Sequence, residues 1–224
     1  VTTTATETTV TIPDSAAFAR TLQSALDTRE VLLTTLGDSV YDDSEMQLDS
    51  DGRRMWVMLS GPDELAGIIA WQVPAEGEPM SMALPPALAR TILATISSGD
   101  GSCQEGEPIT LARVGGQLEI RPDWVDPVIT VGWVDRAPLP SWRQRLAATA
   151  AADTVAGTPV LLAKQARILA HLTKDTGCAR LAMVPAPDAD GTADLLVANG
   201  DVVALMGGFK PCEDDRDLSK ELLA

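Results

Sequence analysis

The chain is poor in the residues from which most catalysts and metal proteins are built: it has one histidine, His171, and three cysteines, Cys103, Cys178 and Cys212, far apart. An odd, scattered set of thiols beside a lone imidazole points to neither a disulfide framework nor a metal site, and leaves the cysteines as small buried or incidental thiols. No apolar run approaches the roughly 18 residues of a membrane helix, and the Thr-rich start lacks the basic and apolar regions of a signal peptide. The expectation is a soluble, cytoplasmic protein with no membrane partner. Catalytic signatures are equally thin. His171 has no serine or cysteine at motif spacing, and Gly115-Gly116 and Gly207-Gly208 are too brief for a phosphate loop. Asp188, Asp190 and Asp194 could in principle hold Ca²⁺ or Mg²⁺, but Asp-rich loops are usually solvated turns. Neither an enzyme, a cofactor nor a metal is expected.

Positive charge is also scarce: 17 Lys and Arg stand against 32 Asp and Glu, for a net charge of −15. Taken as a sum, that argues against nucleic acid, because a generic DNA binder carries a basic surface. The distribution says something different. Arg20, Arg29, Arg90, Arg143, Arg145, Lys164, Arg167 and Lys174 fall in or beside helical stretches, whereas the acids collect in turns such as Asp42-Asp43, Asp49 to Asp51, Glu105 to Glu107, Asp188 to Asp194 and Glu213 to Asp217. This pattern predicts one positive surface on an otherwise negative molecule.

At 224 residues the chain is long enough for one or two domains with a real core. Residues 1 to 9 read as a flexible tail. Val10 to Ile12 reads as a strand, with Asp14-Ser15 opening a helix on which Phe18, Leu22 and Leu26 recur at helical spacing. Arg20, about 200° around that helix from Phe18, faces away from the core. Val31 to Leu36 is expected to be a strand. Met46 to Leu48 and Met55 to Leu59 form a hairpin turning at Asp51-Gly52, and Ala66 to Val73 supplies a further strand.

A second unit repeats the order. Met80 to Leu84 alternates like a strand, and Pro85-Pro86 precedes a helix whose Leu88, Ile92 and Ile96 share one side while Arg90 points off it. Strands Ile109 to Arg113, Gln117 to Arg121 and Val128 to Val134 follow. After a helix from Ser141 to Ala152, a third unit has a helix ending near Lys174 and strands at Leu181 to Val184, Leu195 to Ala198 and Val202 to Met206. On its helix, Lys164, Arg167, His171 and Lys174 recur at steps of three, four and three and so line a single side. Such a stripe is either a solvated face or a row that lies along a phosphate backbone.

Strand, helix and several strands, repeated, with basic helices inside an acidic total, resembles the DNA sliding clamps, most specifically the bacterial replicative clamp. The resemblance is closest over about residues 10 to 145. Ser60-Gly61-Pro62-Asp63-Glu64-Leu65 is similar to the family's Thr-Asp-Gly-His-Arg-Leu segment, and Met82 to Ile96 to its helix entry. Leu139-Pro140-Ser141-Trp142-Arg143 is similar to its Phe-Pro-Asp-Tyr-Arg link. Val160 to Phe209 is similar to its final repeat, with Val203 to Gly208 near the place where the family ends in Val-Met-Pro-Met.

The resemblance implies an α+β processivity fold with helices on one side of antiparallel sheets. It implies a clamp-like domain of two repeats at 10–137, a reduced second domain at 138–209 and an acidic tail at 210–224. Duplex DNA would be held non-specifically by Arg20, Arg90, Lys164, Arg167, His171 and Lys174. DNA polymerase and clamp-loader-type proteins would be partners, and copies of the chain would assemble into a homo-oligomeric ring at the nucleoid. The family's partner-peptide pocket would fall on Leu65, Leu139, Pro140, Trp142, Arg143, Leu205 and Met206, residues that otherwise read as an interdomain core. Two departures bear on that pocket: Asp63-Glu64 replaces His-Arg, and Gly207-Gly208 replaces Pro-Met. The alternative is a clamp-fold interaction protein, a decoy or inhibitor of replication factors that does not encircle DNA. A third reading is a small-molecule or metal-binding α+β domain.

Overall fold

Short runs that alternate apolar and polar residues form antiparallel strands here, and the longer runs with apolar residues every third or fourth position form the helices packed on them. The computed structural model describes residues 7–36, 46–60, 67–97, 107–114, 116–123, 129–132, 142–154, 158–159, 161, 163–174, 177–185, 193–209 and 211–212. The chain divides into two compact units, one of Val1–Glu30, Asp43–Leu59 and Ala70–Pro140, the other of Val31–Asp42, Ser60–Ile69 and Ser141–Ala224.

The first unit holds β1 (Thr8–Ile12), most of α1 (Ser15–Leu36), β2 (Met46–Ser50), nearly all of β3 (Arg54–Ser60), most of β4 (Ile68–Pro74), β5 (Glu76–Gly77) and β6 (Met80–Ala83). It continues with α2 (Pro86–Ser97), β7 (Ile109–Val114), β8 (Gln117–Pro122) and β9 (Ile129–Gly132). Each repeat is a lead strand, a helix and a three-stranded meander, and the lead strands are exchanged. β1, which opens the first repeat, pairs antiparallel with β7 of the second, Val10 opposite Leu111. β6, which opens the second, pairs antiparallel with β2 of the first, Leu48 opposite Met82. The strand orders that result are β5-β1-β7-β8-β9 and β4-β3-β2-β6.

Register carries the core. Val10, Leu111 and Ile120 form one row across β1, β7 and β8, each fully buried. The adjacent row, Thr11, Thr110 and Arg121, lies on the opposite face, where the Thr11 and Thr110 hydroxyls share a hydrogen bond of 3.0 Å. Helix α2 covers its unit's core with Leu88, Ala89, Ile92, Thr95 and Ile96. Helix α1 does so with Phe18, Leu22 and Ala25.

The start of β1 is held by charge. Arg121 of β8 donates to Glu7 at 2.6 Å and to Glu119 at 2.6 Å. These two hydrogen bonds, Glu119 first, raise the Arg121 pKa above its ordinary value. A tight approach fixes the β2–β3 turn: the Gly77 amide donates to the Gly52 carbonyl at 3.1 Å, and both glycines have positive φ, +141° and +88°.

Val31 to Leu36, expected as a strand, forms the last turns of α1. Its β-branched content favours a strand, but buried Leu32 continues the spacing of Phe18, Leu22 and Ala25, and packing outweighs so weak a propensity. The Thr28 and Thr34 hydroxyls donate to the Ser24 and Val31 carbonyls. The hydrogen bonding of both threonines therefore stays within the helix.

The second unit contains α3 (Trp142–Ala151), β10 (Thr158–Pro159), α4 (Ala163–Leu172), β11 (Arg180–Pro185), β12 (Ala193–Asn199), β13 (Val202–Phe209) and β14 (Pro211–Cys212). The meander β11-β12-β13 is antiparallel, and Met183, Leu195 and Met206 form a buried row across it. β10 pairs with β14, Thr158 opposite Cys212. Asp194, grouped in the sequence with the loop acids, lies in β12 opposite Val184 and is buried. No helix among the described residues is long and apolar enough to cross a membrane.

Candidate nucleic-acid interface

Helix α4 is amphipathic by sequence: Ala163 to Leu172 contains Lys164, Arg167 and His171 and no acid. Gln165, Ile168 and Leu172 are buried. Lys164, Arg167 and, two residues beyond the helix, Lys174 are exposed, with His171 half-buried between them. At about 1.5 Å of rise per residue, Lys164 to Lys174 spans about 15 Å. Lys164 and Arg167 make no ion pair with a described residue.

Two polar contacts set the helix on its sheet. The buried Gln165 amide donates to the Gly207 carbonyl at 3.4 Å, and Asn199, at the β12–β13 turn, donates to the Leu172 carbonyl at 2.9 Å. The second satisfies one of the carbonyls left open at a helix C-terminus. Neither Gln165 nor Asn199 was singled out from the sequence. Asn199 stands in an Asn-Gly-Asp turn that could have marked it, whereas Gln165 had no local signal.

Arg20 and Arg90 are exposed on α1 and α2, as their helical phase predicts. Each stands beside a carboxylate. Arg20 lies 4.0 Å from Asp14, which also caps α1 by accepting from the Ala17 amide at 3.0 Å. Arg90 donates to Glu30 of α1 at 3.3 Å, a contact between residues 60 apart in the sequence that places the two helices side by side. Nothing local announced Glu30 as the partner.

Of the residues expected in a partner pocket, Leu65, Leu139 and Pro140 lie outside the described residues, as does the side chain of Arg143 in α3. Trp142 opens α3 and is 6% exposed; Leu205 and Met206 are both 0% exposed. Leu205 and Met206 are consecutive in β13, opposite Leu196 and Leu195, so they point to opposite faces of the sheet. Those two side chains do not share one surface.

Solved structures match this fold along nearly the whole chain. A Pseudomonas aeruginosa DnaN sliding clamp (DNA polymerase III subunit beta), bound to griselimycin, is similar with a TM-score of 0.54 at 12% identity over 94% of this chain and 68% of the clamp. The Thermotoga maritima DNA polymerase III beta subunit is similar with a TM-score of 0.54 at 11% identity, over 94% of this chain and 67% of that one. The C. crescentus beta sliding clamp is similar with a TM-score of 0.55 at 13% identity, over 96% and 68%. The chain thus spans about two thirds of the length of these clamps. No protein-family model and no curated protein sequence matches it. The likeness establishes the clamp fold.

Proposed function

We propose that this chain is a non-enzymatic, sliding-clamp-like protein that holds duplex DNA without reading its sequence and serves replication or repair proteins as a processivity factor. The observation that carries the reading is the exposed basic side of α4, Lys164 and Arg167 with Lys174 at its end, on a fold shared with replicative clamps. Flexible cationic side chains on a helix face suit phosphate contact, which positions a protein on DNA but specifies no base. With a net charge of −15, the rest of the surface repels the duplex, so only a local basic side gives net attraction.

His171 lies on the same side of α4, while Arg20 and Arg90, expected from the sequence as further contacts, each stand beside a carboxylate. Partner recruitment near Trp142, Leu205 and Met206 belongs to the same proposal. It requires side chains that are now buried to be uncovered, as does any peptide site made from core residues. Copies of the chain would close a ring around the duplex in a cytoplasmic, nucleoid-associated setting.

The test is topological. The chain is loaded on a nicked circular plasmid and on the same plasmid linearised, then passed through a gel-filtration column at about 0.15 M salt, with light scattering giving the oligomeric state of the free protein. Retention on the circle with loss from the linear form, together with an oligomer, is the expected result. Equal retention on both would rule out encirclement. A monomer with no DNA retention would favour the alternative, a clamp-fold decoy that binds replication proteins.

A further inference from the structure

The cationic residues on the helices do not contribute equally to the field outside the molecule. In the first unit, Arg90 and Glu30 are 3.3 Å apart, both more than half exposed, and Arg20 is 4.0 Å from Asp14. Helix α1 carries Arg20 and Arg29 against Asp27 and Glu30, and α2 adds Arg90 alone. With Asp14 at the cap of α1, these charges sum to zero. In the second unit, α4 carries Lys164 and Arg167 with no acid, and Lys174 follows it.

A phosphate approaching Arg90 meets Glu30 at nearly the same distance, so the attraction and the repulsion largely cancel at separations near the Debye length of about 8 Å. Pairing Arg90 with a phosphate also uncovers the Glu30 carboxylate, which then recruits a cation. The count of released counterions, which sets the salt dependence of binding, gains nothing from such an arginine. Lys164 and Arg167 bear no such cost.

We infer that, among the helix side chains the structure describes, the electrostatic grip on duplex DNA lies on the α4 face, with Lys164 and Arg167 as its principal phosphate contacts. The Arg20–Asp14 and Arg90–Glu30 pairs leave the helices of the first unit neutral toward DNA. Glu30 therefore acts as a built-in attenuator: removing its charge converts Arg90 into an added contact. This inference rests on the DNA-holding reading above and goes beyond it in dividing the basic residues into two classes.

The experiment is a salt titration of the affinity for a 30-base-pair duplex of mixed sequence, followed by fluorescence anisotropy, for the full chain and three variants with matched circular dichroism spectra. Lys164→Gln/Arg167→Gln is expected to reduce the slope of log affinity against log salt by about two, since each neutralised phosphate contributes about 0.9. Arg20→Gln/Arg90→Gln should leave the slope within about half a unit of the wild type, and Glu30→Gln should steepen it by about one. Equal losses in the two double variants, or no change in Glu30→Gln, would overturn the division while leaving the DNA-holding reading in place. A wild-type chain with no salt-dependent affinity for the duplex would overturn that reading and this inference with it.

Discussion

Replacing Gly77 by alanine tests the way the lead strand of the first repeat is fastened. Gly77 has φ of +141°, a region closed to L side chains, and a Cβ built there would stand 2.3 Å from the Thr9 carbonyl oxygen and 3.0 Å from the Val10 Cα. Both obstacles are backbone, so no rotamer change relieves them. The strained dihedral costs about 1–3 kcal/mol. Parting β5 from β1 also threatens the hydrogen bonds from Gly77 to Gly52 and from Glu78 to Thr9, at about 1 kcal/mol each. The expected loss is about 4 kcal/mol, a large fraction of the roughly 5–15 kcal/mol that holds a domain folded. Gly116 supplies the control. Its φ is +85°, but nothing lies within 4 Å of its Cβ position, so Gly116→Ala should cost only the dihedral term, about 1 kcal/mol. In urea, with an m-value of about 3 kcal/mol/M, the midpoint should fall by about 1.3 M for Gly77→Ala and about 0.3 M for Gly116→Ala. Equal shifts for the two variants would refute the steric argument, because both share positive φ and only one has a neighbour to strike.

Ile92→Ala empties a fully buried position under α2 and should destabilise the chain by about 3 kcal/mol, read from the same urea curves. Arg121→Gln removes the guanidinium that joins Glu7 to Glu119; because that guanidinium is about one third exposed, the loss should be only about 0.5–1 kcal/mol. Hydrogen exchange should show it as faster exchange at Thr8 to Val10. Since the Arg121 pKa is raised, its contribution is present throughout the ordinary pH range and is lost only as the pH rises through the elevated value. Asn199→Ala opens the Leu172 carbonyl and should cost about 1 kcal/mol, with hydrogen exchange accelerated in the last turn of α4 and little changed in β12.

Periodicity placed most elements where they are found. Leu88, Ile92 and Ile96 announced the buried side of α2, and the four-residue stripe from Lys164 to Lys174 announced the exposed side of α4, because helical phase is a property of the chain itself. It failed at Val31 to Leu36, where β-branched residues suggested a strand and the buried spacing through Leu32 kept the helix going. The pocket residues show the limit in another form. Leu205 and Met206 look equivalent as neighbours in an apolar run, yet strand geometry sends them to opposite faces.

Composition and spacing alone determined the α+β class, the repeated order of elements and the exposure of Arg20, Arg90, Lys164 and Arg167, since each depends on residues a few positions apart. The exchange of β1 and β6 between repeats, and the neutralisation of Arg90 by Glu30, were decided only by the tertiary structure. Partners about 30 to 100 residues apart leave no periodic trace, because a contact formed by folding selects for complementarity in space and not for any pattern along the chain.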